Sequence, residues 1–199
     1  MHSANRTALI IAILLAVIVL TQIAYIVKST YKIDLPGTVI WSLEALVFLA
    51  ICVLALAAMV QKGPLTMAWA AIAVGGLLNV LQVGMGLAMF APLSDAGEAM
   101  APAYEAIVAG AFFLYFAGKL LFGVAAILVG KALLRSTGVA RIAGGLAILT
   151  GLAAALVNTA ALAMGMDWLY PAGAAGTVAT ACLAVALHFS ARGPSPHPG

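Results

Sequence analysis

Two side chains in this sequence conflict chemically with their surroundings. Glu44 and Lys119 both lie inside long apolar runs, and an ionisable group in hydrocarbon is costly unless it faces a bundle interior or water. Glu44 falls about 9 Å into its run at the α-helical rise per residue, whereas Lys119 sits near the middle of its own. A carboxylate and an ammonium at such depth could bind a charged or dipolar ligand or relay a proton. Their depths differ by about 10 Å on helix spacing alone. The spacing therefore predicts a relayed connection, through Tyr115, Asn79, Gln82 or water, rather than a direct ion pair.

Other polar groups occur at compatible depths. Gln22 and Tyr25 are three residues apart, as are Asn79 and Gln82, so each pair shares a helix face. Tyr115 lies one turn before Lys119, and Asn158, Thr177 and Thr180 fall in later runs. Pointed at one another, these groups would form a polar pocket in the outer half of a bundle. The expected ligand-binding set is Glu44, Lys119, Gln22, Tyr25, Asn79, Gln82, Tyr115 and Asn158. The competing expectation is a set of separate interhelical hydrogen bonds, each modest in energy.

Other chemistries find no support. The histidines are His2, His188 and His197, which cannot build a bis-histidine haem site or a histidine-rich zinc site. Ser42 and Ser190 have no histidine at matching depth, and no phosphate-cradling glycine motif occurs. The thioethers of Met85, Met89, Met100, Met164 and Met166 would suit Cu(I), but methionine also fills gaps in apolar cores. Neither a metal nor another cofactor is expected. Cys52 and Cys182 read as small packing residues rather than a disulfide.

The elements that must position these groups follow from composition. Of the 199 residues, 65% are hydrophobic and 8% charged, with mean hydropathy +1.18, against about 45–50% and about 25% in a soluble domain. Lipid must solvate most of such a chain, and each span must satisfy its backbone internally as a helix. The unbroken apolar runs do not alternate as barrel strands would. Runs of about 20 apolar residues predict an all-α polytopic membrane bundle of six transmembrane helices in one domain over 1–190. The helices are expected near 8–27, 38–60, 67–91, 104–130, 142–165 and 168–190, with a disordered cytoplasmic tail at 191–199. Pro92 should end the third helix. The first run continues to Val27 without a small-residue cleavage site, which predicts a retained anchor.

Basic residues set the expected orientation. Arg6, Lys62, Lys131, Arg135, Arg141 and Arg192 would lie on one side with no acid, and Lys28 and Lys32 with Asp34, Asp95, Glu98 and Asp167 on the other. That bias predicts both termini inside. The nine basic residues form no patch suited to nucleic acid. Ala143, Ala147, Gly151, Ala155 and Thr159 form a small-residue stripe, expected to serve packing inside one bundle in preference to a dimer. Gly75-Gly76-Leu77 recurs as Gly144-Gly145-Leu146, a hint of parallel duplication.

These readings converge on a multi-pass protein of the bacterial inner (plasma) membrane. It would bind or transport a small solute, a proton or a lipid-like ligand. The alternative is a structural or accessory subunit with a membrane-complex partner or a second copy of itself. An intramembrane enzyme could draw only on Glu44, Tyr115 and Lys119.

Overall fold

The computed structural model describes residues 3–61 and 63–192. It is an all-α bundle built from α1 (Ser3–Tyr31), α2 (Gly37–Met59), α3 (Thr66–Met85), the short α4 (Ala91–Asp95), α5 (Ala101–Leu133), α6 (Gly138–Met164) and α7 (Leu169–Arg192). Its core is apolar and aromatic, with Ile11, Leu15, Ile18, Phe48, Ile51, Ile72, Phe122, Leu183 and Leu187 nearly or wholly inaccessible. Large apolar side chains such as Leu46, Leu149 and Leu156 remain on the outside. Such a surface suits lipid, and the chain is a multi-span helical membrane protein.

Among the described residues five helical stretches are long and apolar enough to cross a membrane, not the six expected: Asn5–Tyr31, Gly37–Met59, Thr66–Asp95, Glu98–Leu133 and Gly138–Arg192. The expected helices at 142–165 and 168–190 fall within the last of these. Their junction, Gly165–Trp168, is itself a 3-10 turn, so the chain passes from α6 to α7 without a non-helical residue. Gly165 enters this turn at φ 73, a conformation glycine adopts without steric penalty, and α6 and α7 then pack against one another. The even count behind the expected placement of both termini inside does not hold for these five stretches.

Pro92 does not end the third span. Proline lacks an N–H and its ring crowds the carbonyl four residues earlier. The chain absorbs this by widening into a π-helical turn at Gly86–Phe90 and then runs on as α4 to Asp95. Of the tail expected at 191–199, Ala191 and Arg192 continue α7, while 193–199 lie outside the described residues. So do His2, His197 and Lys62.

The α5–α6 contact is a close one, made by glycines seven residues apart on each helix. A Cβ on Gly130 would lie 2.5 Å from the Gly144 carbonyl oxygen, and one on Gly151 would lie 2.6 Å from that of Gly123. Within the small-residue stripe of α6, Ala143, Ala147 and Gly151 are buried against the chain, while Ala155 is half-buried and Thr159 exposed. Gly75 and Gly76 are both tightly packed, but Gly145 faces open space, so the repeated Gly-Gly-Leu triplets do not play matching parts. Cys52 and Cys182 are both free thiols.

Candidate functional site

The polar groups meet where α1, α2, α5 and α7 adjoin. Lys119 is fully buried at the middle of α5. Its stem lies against Gly176 of α7, where a Cβ would come within 2.9 Å of Cβ, Cγ and Cδ of the lysine. The ammonium donates to Gln22 Oε1 at 2.9 Å and lies 5.4 Å from the centroid of the Tyr115 ring. A cation over an aromatic face is attracted by the ring quadrupole. Gln22 Oε1 also accepts from Thr177 Oγ1 at 2.8 Å, and the Tyr115 hydroxyl lies beside Thr177 and Gly173. One amide oxygen thus ties three helices together.

Glu44 is connected to this group through the neighbouring residue of α1. Its Oε1 accepts from Thr21 Oγ1 at 2.8 Å, and the same hydroxyl lies 2.8 Å from the Ile18 carbonyl oxygen. Consecutive helical residues point about 100° apart, so Thr21 turns toward α2 while Gln22 turns toward α5 and α7. Glu44 and Thr21 are each only 8% exposed. Among the described residues no lysine or arginine nitrogen lies within ion-pair distance of Glu44, although its charge acts on Lys119. The two ionisable groups are bridged by Thr21 and Gln22, not by Asn79 or Gln82.

The remaining expected residues lie apart. Tyr25 is 40% exposed and stacks on Trp41, the first contact in a run of rings through Phe90 to Tyr104. Asn79 donates to the Gly75 carbonyl at 2.7 Å within α3. Asn158 donates to the Ala154 carbonyl at 2.9 Å, with Ala172 O on α7 at 3.4 Å. The Oδ1 atoms of both asparagines are buried and accept no hydrogen bond among the described residues. Gln82 is half-buried and makes no side-chain hydrogen bond among them. Sequence reasoning missed Thr21 and the slot at Gly176. A hydroxyl beside Gln22 signalled the first, but a glycine in an Ala- and Gly-rich helix signalled nothing about the second.

Among the described residues the expected polar pocket is not formed: Gln22, Lys119 and Thr177 close on one another, and Tyr25, Asn79, Gln82 and Asn158 lie apart from them. Two hollows lie elsewhere. One, of about 110 Å³, is lined by Ala109, Phe113, Phe116, Ala161, Leu162, Gly165 and Met166; the other lies between α1 and α7 around Ala16 and His188. None of the eight expected ligand-binding residues lines either. No protein-family model matches the chain, and no curated protein or solved structure is detectably similar to it.

Proposed function

We propose that this protein binds or carries a small anionic ligand in the inner (plasma) membrane of a bacterium, with Lys119 as the anchoring cation. The observation that carries this reading is a fully buried ammonium whose contacts are neutral, an amide oxygen and an aromatic ring. Ammonium offers three donors, and Gln22 takes one. Burying a charge without a counter-charge costs far more than a neutral hydrogen bond returns. Such a residue in a membrane span is a site hypothesis by default. A carboxylate or phosphate on the remaining donors would supply the counter-charge. Glu44 is held by Thr21 and forms no ion pair with Lys119 among the described residues.

The accessory-subunit reading has less to stand on, since most of the small-residue stripe that would have served a partner helix, Ala143, Ala147 and Gly151, is used between α5 and α6. The experiment is a thermal-unfolding screen of the purified chain against small carboxylates and phosphates, each beside its matched alcohol. A ligand that binds only the folded state raises the apparent stability as its concentration exceeds Kd. Anions should stabilise the wild-type chain and leave Lys119→Met unmoved. Equal shifts in both proteins, or none with any anion, would remove the proposal.

A further inference from the structure

The hollow between α1 and α7 has a volume of about 230 Å³ and is lined by Ala12, Ile13, Ala16, Ala184, Val185 and His188. Ala12 and Ala184 are buried at its floor, while Ile13 and Val185 stand exposed as its rims. A strip of methyl groups between two branched side chains is a groove for hydrocarbon, since close packing along it adds many small dispersion contacts. Its lining changes character at one end. There the imidazole of His188 lies edge-on to Phe189, and no hydrogen bond or ion pair holds it among the described residues.

Two cations stand beyond that end, on the helix faces that line the groove. Arg6 precedes Ile13 by seven residues and Arg192 follows Val185 by seven, two turns in each case, so each shares a face with its rim residue. Arg192 is also one turn past His188. Both arginines are exposed. From Arg6 to Ala16 the helix rises about 15 Å, half of a hydrocarbon core about 30 Å thick. The groove therefore runs from a membrane surface to the midplane, the depth of one leaflet. This end of the bundle, where α1 begins, α2 passes to α3, α5 passes to α6 and α7 ends, also carries Lys131, Arg135 and Arg141 and, among the described residues, no acid.

We propose that the groove seats an anionic phospholipid of the adjoining leaflet, with one acyl chain along Ala12, Ala16 and Ala184 and its phosphate held by Arg6, Arg192 and His188. The site is separate from Lys119 and does not depend on the reading of that residue as an anion anchor. Charge complementarity argues for the occupant, because guanidinium forks match phosphate oxygens and basic pockets between spanning helices recognise anionic headgroups. Polarity runs the right way along the groove, with cations at the surface and methyl groups toward the midplane. A second copy of the chain fits less well. Docked in the same orientation about a two-fold axis, it would bring its own Arg6 and Arg192 to the same level, cation against cation.

The test uses the full chain, delipidated in a mild detergent, with dioleoylphosphatidylglycerol and dioleoylphosphatidylcholine in competition and bound lipid counted by native mass spectrometry. Phosphatidylglycerol should be retained over phosphatidylcholine by about tenfold, and Arg6→Gln combined with Arg192→Gln should remove most of that preference. Arg135→Gln combined with Arg141→Gln, at the same end of the bundle but on the α5–α6 connection, should leave it unchanged. Lys119→Met should leave it unchanged too, which separates this site from the buried cation. Ala16→Leu fills the groove from an exposed position and should lower phosphatidylglycerol binding several-fold. Equal retention of the two lipids, equal loss in the two arginine pairs, loss in Lys119→Met, or full binding in Ala16→Leu overturns the site. A dimer by intact mass that carries no lipid overturns it as well and gives the groove to a second copy. Should the Arg6 and Arg192 variant not fold, the lipid competition and Ala16→Leu decide.

Discussion

Gly176 on α7 lies so close to Lys119 on α5 that a single added methyl would come within 2.9 Å of three carbons of the lysine stem. The glycine makes the slot in which the only fully buried lysine of the described residues is stored. Gly176→Ala should therefore destabilise the chain by about 1–3 kcal/mol, the usual cost of overpacking a filled interior. In a Lys119→Ala background the same change should cost less, because Cγ and Cδ are gone and only Cβ remains within 2.9 Å. Denaturant unfolding of the four proteins in one detergent measures this cycle. An undiminished cost in the second background would mean that the slot is not what the glycine provides.

The α5–α6 seam gives a paired prediction on adjacent residues. A Cβ on Gly144 would stand 2.8 Å from the Gly130 carbonyl oxygen and 2.9 Å from Leu133 Cβ, while one on Gly145 meets nothing within 4 Å. Gly144→Ala should cost about 1–3 kcal/mol by forcing the helices apart. Gly145→Ala should be neutral or stabilise by up to about 1 kcal/mol, since alanine restricts the unfolded chain and favours helix. Melting temperatures of the two variants under identical conditions should move in opposite directions or differ by several degrees. Equal losses would show that the seam is not set by backbone approach.

The Thr21 hydroxyl has one proton and two acceptors in reach, Glu44 Oε1 and the Ile18 carbonyl oxygen. With the carboxyl ionised, Thr21 donates to Glu44; with it protonated, the carboxyl can donate to Oγ1 while the hydroxyl turns to the Ile18 carbonyl, and every group stays satisfied. Glu44→Gln should therefore hold stability within about 0.5 kcal/mol, because the new amide donates to Oγ1 as the protonated acid would. Thr21→Val keeps the shape, strands the carboxyl, and should cost about 1–3 kcal/mol. Chemical unfolding of each variant, with Thr21→Ser as the variant that retains the hydroxyl, checks both. Similar losses in Glu44→Gln and Thr21→Val would place the stability elsewhere than in this bond.

The residues that conflict with lipid were legible in the sequence for the same reason that they are costly in the fold. Glu44 and Lys119 are both buried, and Gln22 and Tyr115 meet Lys119. Depth along a helix could be counted, but azimuth could not. Apolar residues on every side erase the periodicity that would orient Asn79, Gln82 and Asn158, so the sequence points them to a shared site that the helix rotations do not create. Span boundaries failed where breakers were read as stops. Pro92 is absorbed by a π turn, and Gly165 turns the chain inside a continuous helical stretch.

Lys119 also bears on the stability of the fold itself. Replacing a buried ion with an apolar side chain of similar volume is often neutral, and it can stabilise by about 1–4 kcal/mol. Lys119→Met keeps the stem that fills the Gly176 slot and removes a charge whose partners are neutral. It should be at least as stable as the wild-type chain. Gln22→Leu leaves that ammonium without its hydrogen-bonded oxygen and frees Thr177 as well, so it should cost about 1–3 kcal/mol. Much of this loss should vanish when Lys119→Met is added, because the stranded charge is then absent. Unfolding curves for the two single variants and the double variant read the ordering. A Lys119→Met chain that unfolds more easily than the wild type would make the ammonium a structural strut, and its retention would then need no ligand.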